Sequence, residues 1–387
     1  MKMIRLLRAL SLPLLFAAWM QANGAEPLLP GELVRVGPDR TVKTISAAAK
    51  LVPDGGVVEV DAGEYVGDVA VWVNKNVKVR TVGGRVRLDA AGAAAEGKGI
   101  WVVRGGKVEV DGFDFVNAAV SHHNGAGIRL EKGQLTVRNS TFTRNQNGIL
   151  TGNDKAGIVE IENCEFGYNG FGDGQSHNLY VGGIARLTVT GSYFHHANVG
   201  HLLKSRAAEN HIFYNRLTDE TGGKASYELE FPSGGVVYAV GNVIQQSSTT
   251  ENPSIVSYGA EGSFWPVNAL YLVNNTLVDN RPQNGVFLQV RKGLGTVTAV
   301  NNLLVGQGKL ETAGPGDYRN NFNVDWDEFV LAAREDYRLR PASKLRGKGI
   351  EPPAVAGVDL RPAKEYVHPR SVHDVRPKKL SPGAFQN

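Results

Sequence analysis

A short motif recurs through the middle of the chain and constrains its fold more than any other feature. Each copy has a small polar residue, one variable residue and a bulky apolar residue. The closing apolar residues are Phe115, Phe142, Phe166, Phe194, Leu217, Ile244, Leu277 and Leu304, between 23 and 33 residues apart by subtraction of their numbers. Such a period predicts a stacked solenoid, because one unit cannot bury its apolar side without its neighbours.

A second strand can be recognised within each unit from its alternating apolar and polar residues. Consecutive strand residues point to opposite faces, so one face packs on the core and the other faces outward. We predict that Ile128, Leu130, Leu203, Leu229 and Phe231 point inward. The polar residues predicted to be exposed on the outer face include Arg129, Glu131, Lys204, Arg206, Glu228 and Glu230.

The segment before the repeats supports the same architecture. TVKTISAAAKLVPDGG has helical spacing and stops at Pro53–Gly56, and VVEVDAGEY and VNKNVKVRTVGG then alternate as strands. This order, with the repeated N-x-[FLI] turns, resembles the opening of the pectin-lyase-like superfamily. The resemblance implies an all-β fold, namely a right-handed parallel β-helix with an N-terminal capping helix, stacked turn asparagines and an irregular C-terminal tail. That superfamily includes lyases, hydrolases, epimerases and binding proteins, so fold does not fix activity.

The termini give the domain boundaries that we predict. Residues 1–25 have a basic region, an apolar region and a small-residue exit, which is typical of a signal peptide. Residues 26–310 are predicted to form the β-helix with its cap helix, and residues 311–387 a C-terminal cap and tail. We therefore expect a periplasmic or secreted monomer with no membrane span after cleavage. The one cysteine, Cys164, occupies a slot that serine fills in neighbouring repeats, which indicates a buried structural thiol.

The charge and composition limit the classes of binding partner that the protein is expected to have. The net charge is +4, a mild basic bias that is compatible with an acidic polysaccharide. No basic run is interleaved with aromatic residues, and export also argues against a nucleic-acid partner.

The candidate site is a polar region between Gly170 and Glu230. Seven of the nine histidines lie between His122 and His211, and parallel coils stack about 4.8 Å apart, so the strands near residues 177, 201 and 227 can converge on one face. β-Elimination on a uronate needs a cation at the carboxylate, a base for the adjacent proton and an acid for the departing oxygen. We assign Arg206 as the cation, Lys204 or a histidine such as His201 as the base, and Tyr180 or His177 as the acid. The predicted substrate-binding residues are Gln175, Ser176, Asn178, His196, Glu228 and Glu230.

Several alternatives remain open at this point. Calcium is one alternative, because coil stacking could bring together the carboxylate oxygens of Asp173, Glu228 and Glu230. The sequence has no zinc-binding motif, and it identifies no definite cofactor. Glycoside hydrolysis is a further alternative, because it uses two carboxylic acids such as Glu228 and Glu230. The lack of aspartate-rich motifs disfavours it. A C5-epimerase shares the proton abstraction of a lyase. A non-catalytic polysaccharide-binding or envelope protein would use the same face as a groove.

Overall fold

The chain forms a parallel β-solenoid, seen in a computed structural model that describes residues 33–250, 252–283, 285–310 and 316–386. Ten coils each contribute one strand to a ten-stranded sheet, and the remaining coil strands form a twenty-one-stranded sheet that wraps the other sides of the core. The predicted signal peptide, residues 1–25, lies outside the described residues.

Nearly all regular structure in the described part of the chain is strand. The twenty-one-stranded sheet contains Leu33–Val36, Val57–Val66, Val77–Asp89, Lys107–Asp111, Phe113–Val116, Gln134–Arg138, Thr141–Thr143, Ile158–Glu162, Glu165–Gly167, Arg186–Thr190, Tyr193–His195, Glu209–Phe213, Arg216–Thr218, Val236–Val240, Val243–Gln246, Ala269–Val273, Thr276–Asp279, Thr296–Val300, Leu303–Gly306, Gly316–Arg319 and Phe322–Val324. The ten-stranded sheet contains Ala70–Trp72, Gly99–Val103, Ala126–Leu130, Asn147–Thr151, Leu179–Val181, Leu203–Ser205, Leu229–Phe231, Ser254–Tyr258, Val286–Val290 and Lys309–Leu310. Two short hairpins pair Phe329–Leu331 with Asp336–Leu339 and Lys364–Val367 with Ser371–Asp374.

The repeated apolar residues stack in register, as the sequence predicts. The eight closing residues of the motif lie one above another in eight successive coils, joined by seven strand pairings. Phe142, Phe166 and Phe194 are fully buried, and their ring centroids lie 4.8 and 4.7 Å apart with nearly parallel planes. The motif is therefore the core column of the solenoid.

The small polar residue of the motif forms a ladder inside the turn before this column. In the later coils, the side-chain amides of Asn215, Asn242, Asn275, Asn302 and Asn321 donate successively from each residue to the next. The same amides also satisfy buried backbone groups. The preceding residue adopts a left-handed conformation, which explains the frequent asparagine or glycine there; examples are Asn139, Asn163, Asn274 and Asn301. Cys164 takes the ladder position in its coil as a fully buried thiol, and burial raises its pKa to about 12.

The predicted N-terminal helix is present as Ile45–Leu51. The Thr44 hydroxyl accepts from the Ala47 amide, and the Asp68 carboxylate accepts from the Ile45 and Ser46 amides, so three free donors of the first turn are satisfied. Ile45 is buried, and the helix packs beside Leu33–Val36 and Ala70–Trp72. Its role as a cap stays a prediction.

The strand stacking extends past the predicted boundary at residue 310. Gly316–Arg319 and Phe322–Val324 pair in parallel with the last complete coil. The chain beyond them packs along the outside of the stack, where the Asn274 amide donates to the Ser381 carbonyl and Ala384 is buried.

The phenylalanine stack supports a stability prediction. We expect Phe166→Ala to lower the free energy of unfolding by about 3–5 kcal/mol, because it opens a cavity between two packed rings. Phe166→Leu, which retains most of the volume, should cost less than about 1.5 kcal/mol. Denaturant unfolding would measure both; an equal small loss in the two variants would show that the stack contributes little.

Candidate functional site

The outer face of the ten-stranded sheet carries a row of polar side chains in register. Tyr180 pairs with Lys204, which pairs with Glu230 on the next coil. The adjacent Leu203 and Leu229 are fully buried in the core. This confirms the predicted strand phase, in which Lys204 points outward, and it places three functional groups one coil apart.

Glu230 is the centre of this row. One of its carboxylate oxygens lies 2.8 Å from Nε2 of His201 and 3.0 Å from Nζ of Lys204. Burial opposes ionisation of Glu230, but the contacts with His201 and Lys204 outweigh it and lower its pKa. Burial lowers the pKa of His201, and Glu230 only partly offsets this effect. The His201 imidazole and the Lys204 ammonium thus contact the same ionised carboxylate.

His177 lies behind His201 and supports it. Its Nδ1 accepts a hydrogen bond from the His201 backbone amide at 3.0 Å, and the two ring centroids are 4.5 Å apart. Burial first, then the charges of His201, Lys204 and Arg206, place its pKa well below the ordinary value. His177 is only 2% exposed, so the fold gives a polymer little access to its ring.

Arg206 extends the row to one side. Its Nε donates to the Tyr180 hydroxyl oxygen at 3.0 Å, which leaves the phenolic proton free to donate outward. Its two terminal nitrogens bind the carboxylate of Glu261 at 2.6 and 2.8 Å, and that carboxylate lies 3.7 Å from Lys204. The hydrogen bonds from Arg206 lower the pKa of Glu261.

Glu261 is the residue of this site that sequence reasoning missed. It lies in the loop after Ser254–Tyr258, 55 residues from its partner Arg206 and outside the repeated motif. Strand alternation gives no signal for a loop residue. Only the three-dimensional structure places its carboxylate next to Lys204 and Arg206.

The loop predicted to contact substrate has mainly structural contacts. The Asp173 carboxylate accepts hydrogen bonds from the backbone amide of Gln175 and from the Ser176 hydroxyl. The Ser176 hydroxyl in turn accepts one from the backbone amide of Phe171. Asn178 is buried and belongs to a second asparagine ladder, accepting from Asn169 at 2.8 Å. Of these residues, Gln175 is exposed and free to meet a ligand through its side chain.

His196 lies apart from the row. Its ring stacks on Tyr168 at 4.6 Å, and its Nδ1 lies 2.8 Å from Nδ1 of His195, in the turn after Tyr193–His195. The structure gives it no contact with His177, His201 or Lys204.

The prediction that Glu228 and Glu230 are exposed is wrong. Glu228 is fully buried and Glu230 is 4% exposed. Strand parity sets which face a side chain occupies, but neighbouring coils decide whether solvent reaches it. His201 and Lys204 cover Glu230 from the preceding coil.

Glu228 instead belongs to a buried group of carboxyls with Asp219 and Asp279, with Arg281 nearby. Neither carboxylate oxygen of Glu228 has a hydrogen-bond partner among the described residues. Burial, reinforced by the two aspartates, raises the pKa of Glu228 well above its ordinary value. Burial raises the pKa of Asp219 to about 8 and raises that of Asp279 as well.

The structure does not assemble the calcium site considered from the sequence. Within residues 33–250, 252–283, 285–310 and 316–386, no three histidine, cysteine, aspartate or glutamate residues are placed to hold a metal ion. Asp173 lies in an exposed loop, whereas Glu228 and Glu230 are buried.

A separate cleft of about 840 Å³ lies where the C-terminal segment crosses the twenty-one-stranded sheet. Its lining includes Tyr193, Arg216, Glu220, Tyr366 and His368. Arg216 pairs there with both Glu220 and Glu335. Arg216 is therefore compensated by carboxylates of the same chain, and none of these lining residues belongs to the row around Glu230.

The stacked coils form a right-handed parallel β-helix with the pectin-lyase-like fold. Residues 126–318 match the family model described as right handed beta helix region. A solved structure, titled "Crystal structure of pectate lyase Pel9A", aligns with a TM-score of 0.61 over 92% of this chain and 96% of that chain. The two sequences are 14% identical, a likeness that shows the fold alone. The search of curated proteins found no match. Among the described residues, no helix is long and apolar enough to cross a membrane.

Proposed function

We propose that this protein is an exported polysaccharide lyase that cleaves a uronate-containing polymer by β-elimination. The observation that carries the proposal is the contiguous cluster of Tyr180, His201, Lys204, Arg206 and Glu230 on the outer face of one sheet. Such a cluster of proton-transfer groups, in which the pKa values of the buried His201 and Glu230 are both lowered, is typical of functional sites. The shared fold with a pectate lyase supports the substrate class by analogy.

The proposed roles follow from which atoms are accessible. Arg206 would bind the uronate carboxylate and stabilise the negative charge that develops after proton removal. Lys204, 13% exposed in its side chain, would remove the proton adjacent to that carboxylate once its own proton has been lost. Tyr180 would donate its free phenolic proton to the departing oxygen. His201, His177 and Glu230 would hold Lys204 in position.

The experiment is an ultraviolet assay with a panel of uronate polymers. Elimination creates a conjugated unsaturated uronate, so absorbance should rise with time for at least one polymer. Tyr180→Phe and Arg206→Lys should each slow the rise, whereas Lys78→Ala, an exposed lysine far from the row, should not. A flat trace with every polymer would exclude the lyase.

Two other functions share the same first contacts. A C5-epimerase would abstract the same proton and return one to the opposite side of the sugar. A binding protein would hold the polymer without exchange. Recovery of the polymer from deuterated water separates them: the epimerase incorporates deuterium at C5 and inverts stereochemistry, and the binding protein changes neither.

The contact between Arg206 and Glu261 gives a further prediction. Glu261 has a half-exposed side chain and occupies the position in which Arg206 would hold a substrate carboxylate. We expect Glu261→Gln to lower KM for the polymer about two- to fivefold, because an exposed ion pair competes by up to about 1 kcal/mol. Glu209→Gln, which removes another partly exposed carboxylate on the other sheet, is the matched control. An unchanged or higher KM in Glu261→Gln would show that this carboxylate does not compete with substrate.

A further inference from the structure

The loop that carries Glu261 is firmly fixed across earlier coils. The backbone amides of Glu261 and Phe264 donate to the Pro232 and Ser233 carbonyls at 2.9 and 3.0 Å. The indole Nε1 of Trp265 donates to the Arg206 carbonyl at 2.9 Å, and the Asn268 amide donates to the Trp265 carbonyl. The loop therefore has a defined position next to the polar row.

This fixed loop presents an aromatic ring to solvent. Phe264 is 61% exposed, and its ring centroid lies 5.0 Å from that of Trp265 in an edge-on arrangement. A phenylalanine gains stability by burial, so an exposed one on a rigid support does little for the fold. Its neighbour Trp265 binds the Arg206 carbonyl, so the Phe264 ring lies close to the end of the row.

A cation accompanies the ring. Nζ of Lys155 lies 5.8 Å from the Phe264 ring centroid. Lys155 is exposed, and among the described residues it forms no ion pair. In contrast, Lys204 and Arg206 are both compensated by carboxylates within the chain. An exposed aromatic ring next to an ammonium without a carboxylate partner is suited to bind a uronate. The C–H face of the sugar can stack on the ring, and the sugar carboxylate can pair with the ammonium.

We propose that Phe264 and Lys155 form a separate binding subsite for one uronate unit of the polymer, distant from the bond that is cleaved. Phe264 would stack against the sugar ring, and Lys155 would pair with its carboxylate. Lys155 follows the strand Asn147–Thr151, one coil before Tyr180, so the polymer would lie along the stack axis towards the N-terminal coils. The inference rests on the proposed substrate class, but not on catalysis.

The test is equilibrium binding of oligouronates of increasing length, measured by calorimetry in a Lys204→Ala background so that no ligand is consumed. We expect Phe264→Ala to weaken binding of long oligomers about tenfold, which corresponds to about 1.4 kcal/mol, and to leave the shortest oligomers unaffected. Lys155→Ala should weaken binding of acidic oligomers but not of their carboxyl-reduced counterparts. Trp326→Ala, which removes an exposed aromatic residue of the C-terminal segment, is the matched control.

The outcomes separate this inference from the proposed function. Binding that is equal in the Phe264→Ala and background proteins would overturn the subsite and leave the lyase proposal intact. Length-dependent loss of binding, together with no ultraviolet product from the native protein, would support the subsite and exclude the lyase. An absence of binding by any oligouronate would overturn both.

Discussion

Replacing Lys204 with alanine is expected to lower kcat on a uronate polymer by about 10²- to 10⁴-fold, the range that a positioned general base contributes. The lysine lies in the row between Tyr180 and Glu230. KM should change little, because Arg206 and the rest of the face remain available for the polymer. Initial rates of ultraviolet absorbance over a range of polymer concentrations would measure both parameters.

A second substitution at this position separates catalysis from support. Lys204→Arg keeps a positive charge 3 Å or so from Glu230 but has a guanidinium that does not lose its proton near neutral pH. A base role therefore predicts that the arginine variant is as inactive as the alanine variant. Recovery of most activity in Lys204→Arg would show instead that the lysine acts only by pairing with Glu230. Thermal unfolding of both variants checks that the coils stay intact.

The stability of the protein is expected to fall as pH rises from about 4 to about 8, because of the buried group of Asp219, Glu228 and Asp279. Burial raises their pKa values in the folded state, that of Asp219 to about 8. Between the unfolded and folded pKa values, the folded chain retains protons that the unfolded chain has lost. The contribution is thus fully present below the unfolded pKa and is lost as pH rises through the folded pKa, at up to about 1.4 kcal/mol per pH unit for each group.

Amide substitutions test this pH dependence. Glu228→Gln and Asp219→Asn remove the titrating groups while nearly keeping their shapes, so each should flatten the decline and raise the unfolding midpoint at pH 8 relative to the native protein. Asp39→Asn, at an exposed aspartate, is the control and should not alter the slope. Denaturant midpoints measured from pH 4 to pH 9 would decide. A profile with the same slope in Glu228→Gln and the native protein would contradict the buried-proton explanation.

The sequence by itself determined the coil stack and the outward direction of the basic residues. The apolar residue of the motif recurs once per coil, and only a solenoid places Phe142, Phe166 and Phe194 above one another. Alternation within a strand then predicts that Lys204 points outward, because the face of a strand residue depends only on its parity. The convergence of the strands near His177, His201 and Tyr227 follows from the same stacking, and the ring contacts confirm it.

Only the tertiary structure decided which polar residues are accessible and which partners they have. Glu228 and Glu230 have the parity of exposed residues, yet the side chains and turns of adjacent coils bury them. Glu261 and Phe264 reach the site from a loop that crosses earlier coils. The loop lies outside the sequence repeat, so the repeat does not predict its position. Periodicity reports a residue's face because that depends on its own strand, whereas burial and ion pairing depend on chain segments that are distant in sequence.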